Sequence, residues 1–147
     1  MLHGAPLYSA EERAVRLARP SAQIELKPDG SHLSDQFRAI YKYVGPEPEN
    51  VVGVTWAVLG QFLSAPASPT YRAIFGNDMA PDIAALRAPT LVLSDRNDVL
   101  HDNDLRVVAL RPDFTYQEFS AERSYAVMRY PQRWVDLILE FARGHGI

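Results

Sequence analysis

Cysteine is absent from the 147 residues. Disulfides, thiolate metal sites and a thiol nucleophile are therefore excluded. No apolar run approaches the roughly 18 residues that a membrane-spanning helix needs. There is also no strong excess of charge of either sign: 15 Lys and Arg stand against 18 Asp and Glu, for a formal net charge of −3. Such a balance gives no electrostatic reason for nucleic acid or an anionic membrane as a partner. The opening Met1-Leu2-His3-Gly4-Ala5-Pro6 has neither the basic n-region nor the apolar h-region of a secretory leader, so the expected location is cytoplasmic. Internal repeats and low-complexity tracts are missing as well.

What remains is a composition of 47% hydrophobic and 22% charged residues, that of a globular chain of one-domain length. A chain of this size can bury about 70% of its unfolded surface. Eleven prolines cut it into short pieces. Ser9-Ala10-Glu11-Glu12 has the spacing of a capping box and predicts a helix to about Ala18. Ile24-Glu25-Leu26 reads as a short extended piece closed by the turn Pro28-Asp29-Gly30. Phe37, Ile40, Tyr41 and Val44 recur at helical spacing and predict a helix over 34–44. The segment 49–63 is apolar nearly all round and long enough to favour a buried helix over a strand. Short helices are expected at 69–75 and 78–86.

The character then changes. Ala88-Pro89-Thr90-Leu91-Val92-Leu93-Ser94 is a short apolar run behind a proline and reads as a strand buried on both faces. A helix over 102–110 follows, with Asp102 as its expected N-cap. An alternating strand is expected at 114–119. Pro131 opens a last helix, with Trp134, Val135, Leu137, Ile138 and Phe141 on its apolar side and Gly144 near its end. Strand, helix, strand, helix implies a parallel strand pair with a right-handed crossover.

The stretch Leu86-Arg87-Ala88-Pro89-Thr90-Leu91-Val92-Leu93-Ser94-Asp95-Arg96-Asn97-Asp98 resembles the seventh strand of α/β-hydrolases, which commonly reads I-x-x-P-T-L-V-L-x-G-x-x-D. The elements after it continue the pattern to about residue 143. Leu2-His3-Gly4-Ala5-Pro6-Leu7 is similar to the exit of the sixth strand of that family. The resemblance implies a partial α/β-hydrolase fold of the α/β class, in two parts. Residues 1–85 would hold the end of strand six and a helical cap-like segment, and 86–147 the C-terminal βαβα part of the core. It also implies hydrolysis of ester or carbon–carbon bonds by intact relatives, no cofactor, and Asp98 at the position of the triad acid, with Asp95 as runner-up.

Two departures qualify that activity. The fold's nucleophile sits in G-x-S-x-G, a sharp strand-to-helix turn, and no such string occurs here; Gly30-Ser31-His32 is the nearest. The family's general base is a histidine commonly seven residues before a proline. Counting back from Pro131 reaches Ser124, whose hydroxyl cannot act as a base near neutral pH. The expectation is a truncated or degenerate member without independent hydrolytic activity. The alternatives are a non-catalytic module for small molecules or proteins, or half of a split hydrolase completed by another chain.

Other candidates read more simply as structure. His101 lies three residues after Asp98, but a His–Asp pair without a nucleophile performs no acyl transfer. His32 and His145 read as surface histidines, and His3 as a structural residue at the strand exit. Asp98, His101, Asp102 and Asp104 form D-x-x-H-D-x-D, which lacks the alternating ligands, central glycine and distal glutamate of a calcium loop; no metal is expected. Trp56, Phe62, Tyr71, Phe75 and Met79 could line a pocket for a small apolar ligand, although apolar stripes at helical spacing usually pack as core. With strand six reduced to a stub at 2–6, the strand at 90–94 is expected to expose an apolar edge. That edge would favour a homodimer or a complementing N-terminal hydrolase chain.

Overall fold

The structure is a computed structural model that describes residues 1–19, 24–44, 48–63, 67–119 and 126–147. Its elements in chain order are α1 (Ala10–Leu17), α2 (Ser31–Val44), α3 (Pro48–Leu63), α4 (Ala67–Gly76), α5 (Ala80–Ala85), β1 (Leu91–Asp95), α6 (His101–Leu110), β2 (Thr115–Phe119), α7 (Ala126–Arg129) and α8 (Pro131–Gly144). The chain is thus of mixed helix and strand with a two-stranded parallel sheet. Among the described residues no helix is long and apolar enough to cross a membrane. Two compact units form, one from Met1–Ser9 with Asp78–Ile147 and one from Ala10–Asn77. The boundary expected at 85/86 differs from this division, because residues 1–9 and α5 pack with the strands.

The first unit is organised around β1. All five of its residues are buried, as a strand enclosed on both faces must be. Leu91 pairs with Thr115 and Asp95 with Phe119 in parallel register. Side chains alternate across the sheet. Leu91, Leu93 and Phe119 pack against Trp134 and Leu137 of α8, with Ile138 and Phe141 beside them. Phe119 and Trp134 stack with ring centroids 5.0 Å apart. Val92 faces the other way, onto Val107 of α6, Phe114, Ile83 of α5, Ala5 and Leu7. Val135, expected on the apolar side of α8, is 45% exposed, because the side turned to the sheet is the 134, 137, 138, 141 stripe.

The second edge of β1 is not open, contrary to expectation. Leu2 forms a parallel bridge to Val92. Leu2 N donates to Leu91 O at 2.8 Å and Leu93 N to Leu2 O at 3.0 Å. One step on, where a further strand residue would have donated, His3 Nδ1 donates to Leu93 O at 2.8 Å. The imidazole also meets the edge of Trp134 at 4.7 Å, giving His3 the structural role expected of it. The backbone then leaves the sheet at Gly4, whose φ is +59° and whose absent Cβ would stand 3.3 Å from Leu100 Cδ1. Buried Asp104 receives the departing chain, accepting from Ala5 N at 3.0 Å and Gly4 N at 3.4 Å. Arg106 donates to Leu7 O at 3.3 Å.

Arg111 binds α5 to this unit. Its Nη1 donates to the carbonyls of Ile83, Ala84 and Leu86. Its other nitrogens form a bidentate pair with Asp113, and its guanidinium lies 4.3 Å from the centroid of Phe114. The carbonyls of Ile83 and Ala84 lie in the last turn of α5 and that of Leu86 at its C-cap, where C=O groups run short of intrahelical partners.

In the second unit α2 packs on α3 and α1 on α4. Val44, Val54 and Val58 form the α2–α3 core, with Phe37, Ile40, Tyr41 and Phe62 against them. Buried Asn50 Nδ2 donates to Val44 O at 3.0 Å, so the start of α3 closes the end of α2. The turn at Pro28-Asp29-Gly30 is present, with Gly30 at φ +76°. Residues 24–27 form no strand. Helix α3 has the expected length but is not buried all round: Val52 is 63% and Trp56 69% exposed. The stripe at 54 and 58 is covered, whereas the opposite side of the apolar helix has no comparable cover among the described residues.

Two substitutions test this architecture by urea denaturation. Trp134→Ala removes the ring that joins α8 to β1 and β2, and is expected to cost about 3–5 kcal/mol. Gly4→Ala forces a side chain into a left-handed conformation against Leu100, and is expected to cost about 1–2 kcal/mol. An unchanged midpoint for either would contradict the packing described.

Candidate functional site

The sequence nominated Asp98, and the structure places it in the loop after β1. Its carboxylate is committed to local backbone: Oδ1 accepts from Leu100 N at 2.7 Å. Its own N–H donates to Asp95 O at 2.9 Å, and its carbonyl accepts from His101 N at 3.1 Å. This turn leads into α6, with Leu100 as the N-cap and Leu100 O accepting from Asn103 and Asp104 N. Asp102, expected as the N-cap, lies instead inside the first turn, because the N-cap is Leu100, two residues earlier. Asp95 is fully buried and accepts from Asn97 N at 3.1 Å. Ser124 lies outside the described residues.

The side chains that do converge come from both strands and the start of α6. Ser94 and Glu118 are register partners, and Tyr116 shares their face two residues earlier. Ser94 Oγ lies 3.0 Å from His101 Nδ1, and His101 Nε2 lies 3.7 Å from Glu118 Oε2. The two ring nitrogens of His101 thus face a hydroxyl on one side and a carboxylate on the other. Tyr116 OH donates to Glu118 Oε2 at 2.9 Å, and Arg96 Nε donates to Oε1 at 2.9 Å, with Nη2 also contacting Oε1. The Tyr116 hydroxyl, and after it the Arg96 guanidinium, hold the Glu118 carboxyl below the usual carboxylate range. Burial first, and then the Glu118 carboxylate, push the Tyr116 phenol up to about 12.

Hydroxyl, imidazole and carboxylate in a row are the parts of an acyl-transfer relay. Ser94, however, is 0% exposed, and no carbonyl carbon can reach its Oγ without displacing the strand. The row is therefore a hydrogen-bonded network, buried at Ser94 and part-exposed at Glu118, that ties β1, α6 and β2 together at the C-terminal end of the sheet. Sequence reasoning missed it because Glu118 meets His101 only through the parallel register; the one local sign was Tyr116 and Glu118 on a common face at spacing two.

The remaining candidates separate. His32 Nδ1 accepts from Lys27 N at 3.1 Å and its ring meets Phe62 edge-on, so it braces a loop and is not a plain surface histidine. His145 Nδ1 bonds Phe141 O at 2.9 Å at the end of α8, on the surface as expected. Tyr71 stacks on Phe75, over which Arg16 also lies, whereas Met79 belongs to the first unit's core. Trp56 is exposed on α3. Among the described residues no group of three or more His, Asp or Glu side chains is arranged to hold a metal ion.

The raised phenol gives a pH test. Between the ordinary value of 10 and about 12 the unfolded chain loses the Tyr116 proton while the folded chain keeps it. Stability conferred by the neutral phenol is complete below pH 10 and is lost as pH rises through that window. Ultraviolet difference titration should show one tyrosine ionising near 12. In Glu118→Gln it should fall part of the way back towards 10, burial being the larger cause. A titration unchanged by Glu118→Gln would remove Glu118 from the phenol's surroundings.

Comparison with family models, with curated proteins and with solved structures found no match to this chain.

Proposed function

We propose that this chain is the C-terminal part of an α/β-hydrolase-type fold and has no hydrolytic activity by itself. The observation that carries the reading is the parallel order of the Leu2 bridge, β1 and β2, with Asp98 on the loop at the C-terminal end of the middle strand. The helices are placed accordingly, with α6 against one face of the sheet and α8 against the other. That is the arrangement in which the family's sixth, seventh and eighth strands carry the acid of the triad.

The chemistry supports inactivity in isolation. The Asp98 carboxylate is held by Leu100 N, and the imidazole nearest in sequence, His101, turns its two nitrogens to Ser94 and Glu118. A general base must lie within reach of both the acid and the nucleophile, and the His101 ring is turned to buried Ser94 and to Glu118 and not to the Asp98 carboxylate. Hydrolysis would need a serine on a sharp turn and a histidine contributed from elsewhere, as in a split hydrolase completed by a second chain.

A chromogenic assay with p-nitrophenyl butyrate decides the point. The purified chain is expected to release p-nitrophenol at the rate of buffer alone, and Ser94→Ala and Asp98→Asn to match it. Turnover well above buffer that is lost in either variant would overturn the proposal.

A further inference from the structure

Within the second unit, residues of α2 and α3 line an open groove of about 560 Å³. This is within the range of roughly 300–1,000 Å³ typical of small-molecule sites. Leu33, Phe37, Val58 and Leu59 give it an apolar wall, and Arg38 and Thr55 are among its polar groups. The Thr55 hydroxyl is already used, donating to Val51 O at 2.7 Å along its own helix. Arg38 is therefore the charged group available to select a ligand.

Its electrostatic setting is specific. Asp35 accepts from Lys27 Nζ at 3.0 Å through Oδ2 and from Arg38 Nη1 at 3.0 Å through Oδ1. Two cations thus share one carboxylate, and the trio carries a net charge of +1. Lys27 alone neutralises Asp35, and Lys42 adds a further exposed cation one turn beyond Arg38 on the same helix. A guanidinium keeps donors free on its other nitrogens and suits a carboxylate bidentately. The groove therefore joins one guanidinium, that of Arg38, to an apolar wall.

We propose that the α2–α3 groove binds a small carboxylate with an apolar tail or ring. The carboxylate pairs with Arg38, and the body lies on Phe37, Val58 and Leu59. The site is independent of kinship with hydrolases, since every residue in it belongs to the second unit and its readout is binding, not turnover.

Calorimetric titration of the full chain with octanoate tests this, with octylammonium and octanol as charge controls. Octanoate is expected to bind at a single saturable site, at least roughly tenfold more tightly than octylammonium. Arg38→Gln alters an exposed side chain and leaves the α2–α3 core intact. It should weaken octanoate about tenfold, the worth of one charge-assisted hydrogen bond, and leave octanol unchanged. Leu59→Glu, which sets a carboxylate against the apolar wall, should abolish octanoate binding. Absence of saturable octanoate binding by the folded chain, equal affinity for octylammonium, or an Arg38→Gln variant that binds octanoate as the parent does would overturn the proposal.

Discussion

The first unit depends on one constraint: β1 is buried along its whole length, on both faces and at both edges. A buried N–H or C=O without a partner costs about 1–3 kcal/mol, so each edge of the strand must be supplied. One edge is met by β2 in register. The other is met by residues about ninety positions earlier, through two backbone bonds from Leu2 and one imidazole bond from His3. The rest of the N-terminal segment makes that return possible. Gly4 turns the chain sharply away, Asp104 accepts its N–H groups, and Arg106 holds Leu7. The faces are supplied by α8 on one side and α6 with α5 on the other.

The polar cluster follows from the same constraint. Ser94 and Asp95 end a strand that no water reaches, so their side chains must be satisfied within the protein. Ser94 finds His101, which sits on the first turn of the next helix. Glu118, brought alongside by the register, collects Tyr116 and Arg96 and lies near the other ring nitrogen of His101. Every part has a structural duty, which explains how a serine, a histidine and a carboxylate can stand in line without forming an accessible nucleophile. The second unit is built differently. Apolar α3 has one stripe buried against α2, and the groove left between the two helices, with Arg38 beside it, is the more accessible feature for a ligand.

Sequence patterning determined much of this by itself. An apolar run behind Pro89, alternation at 114–119, the proline at the start of α8 and the glycine in the turn before α2 are local signals, and each fixes an element within a few residues. The apolar character of residues 91–93 dictated a strand covered on both faces. The order strand, helix, strand, helix required a parallel pair. Tertiary structure decided what depends on register and on distant chain. It closed the second edge of β1 with Leu2 and His3, put the Glu118 carboxylate rather than that of Asp98 beside the His101 ring, sealed Ser94, and left Trp56 exposed on a helix that reads as core. The physical reason is that propensity and periodicity describe a residue's own element, whereas a hydrogen-bond partner across a sheet, or the cover over a helix face, belongs to whichever other segment arrives there.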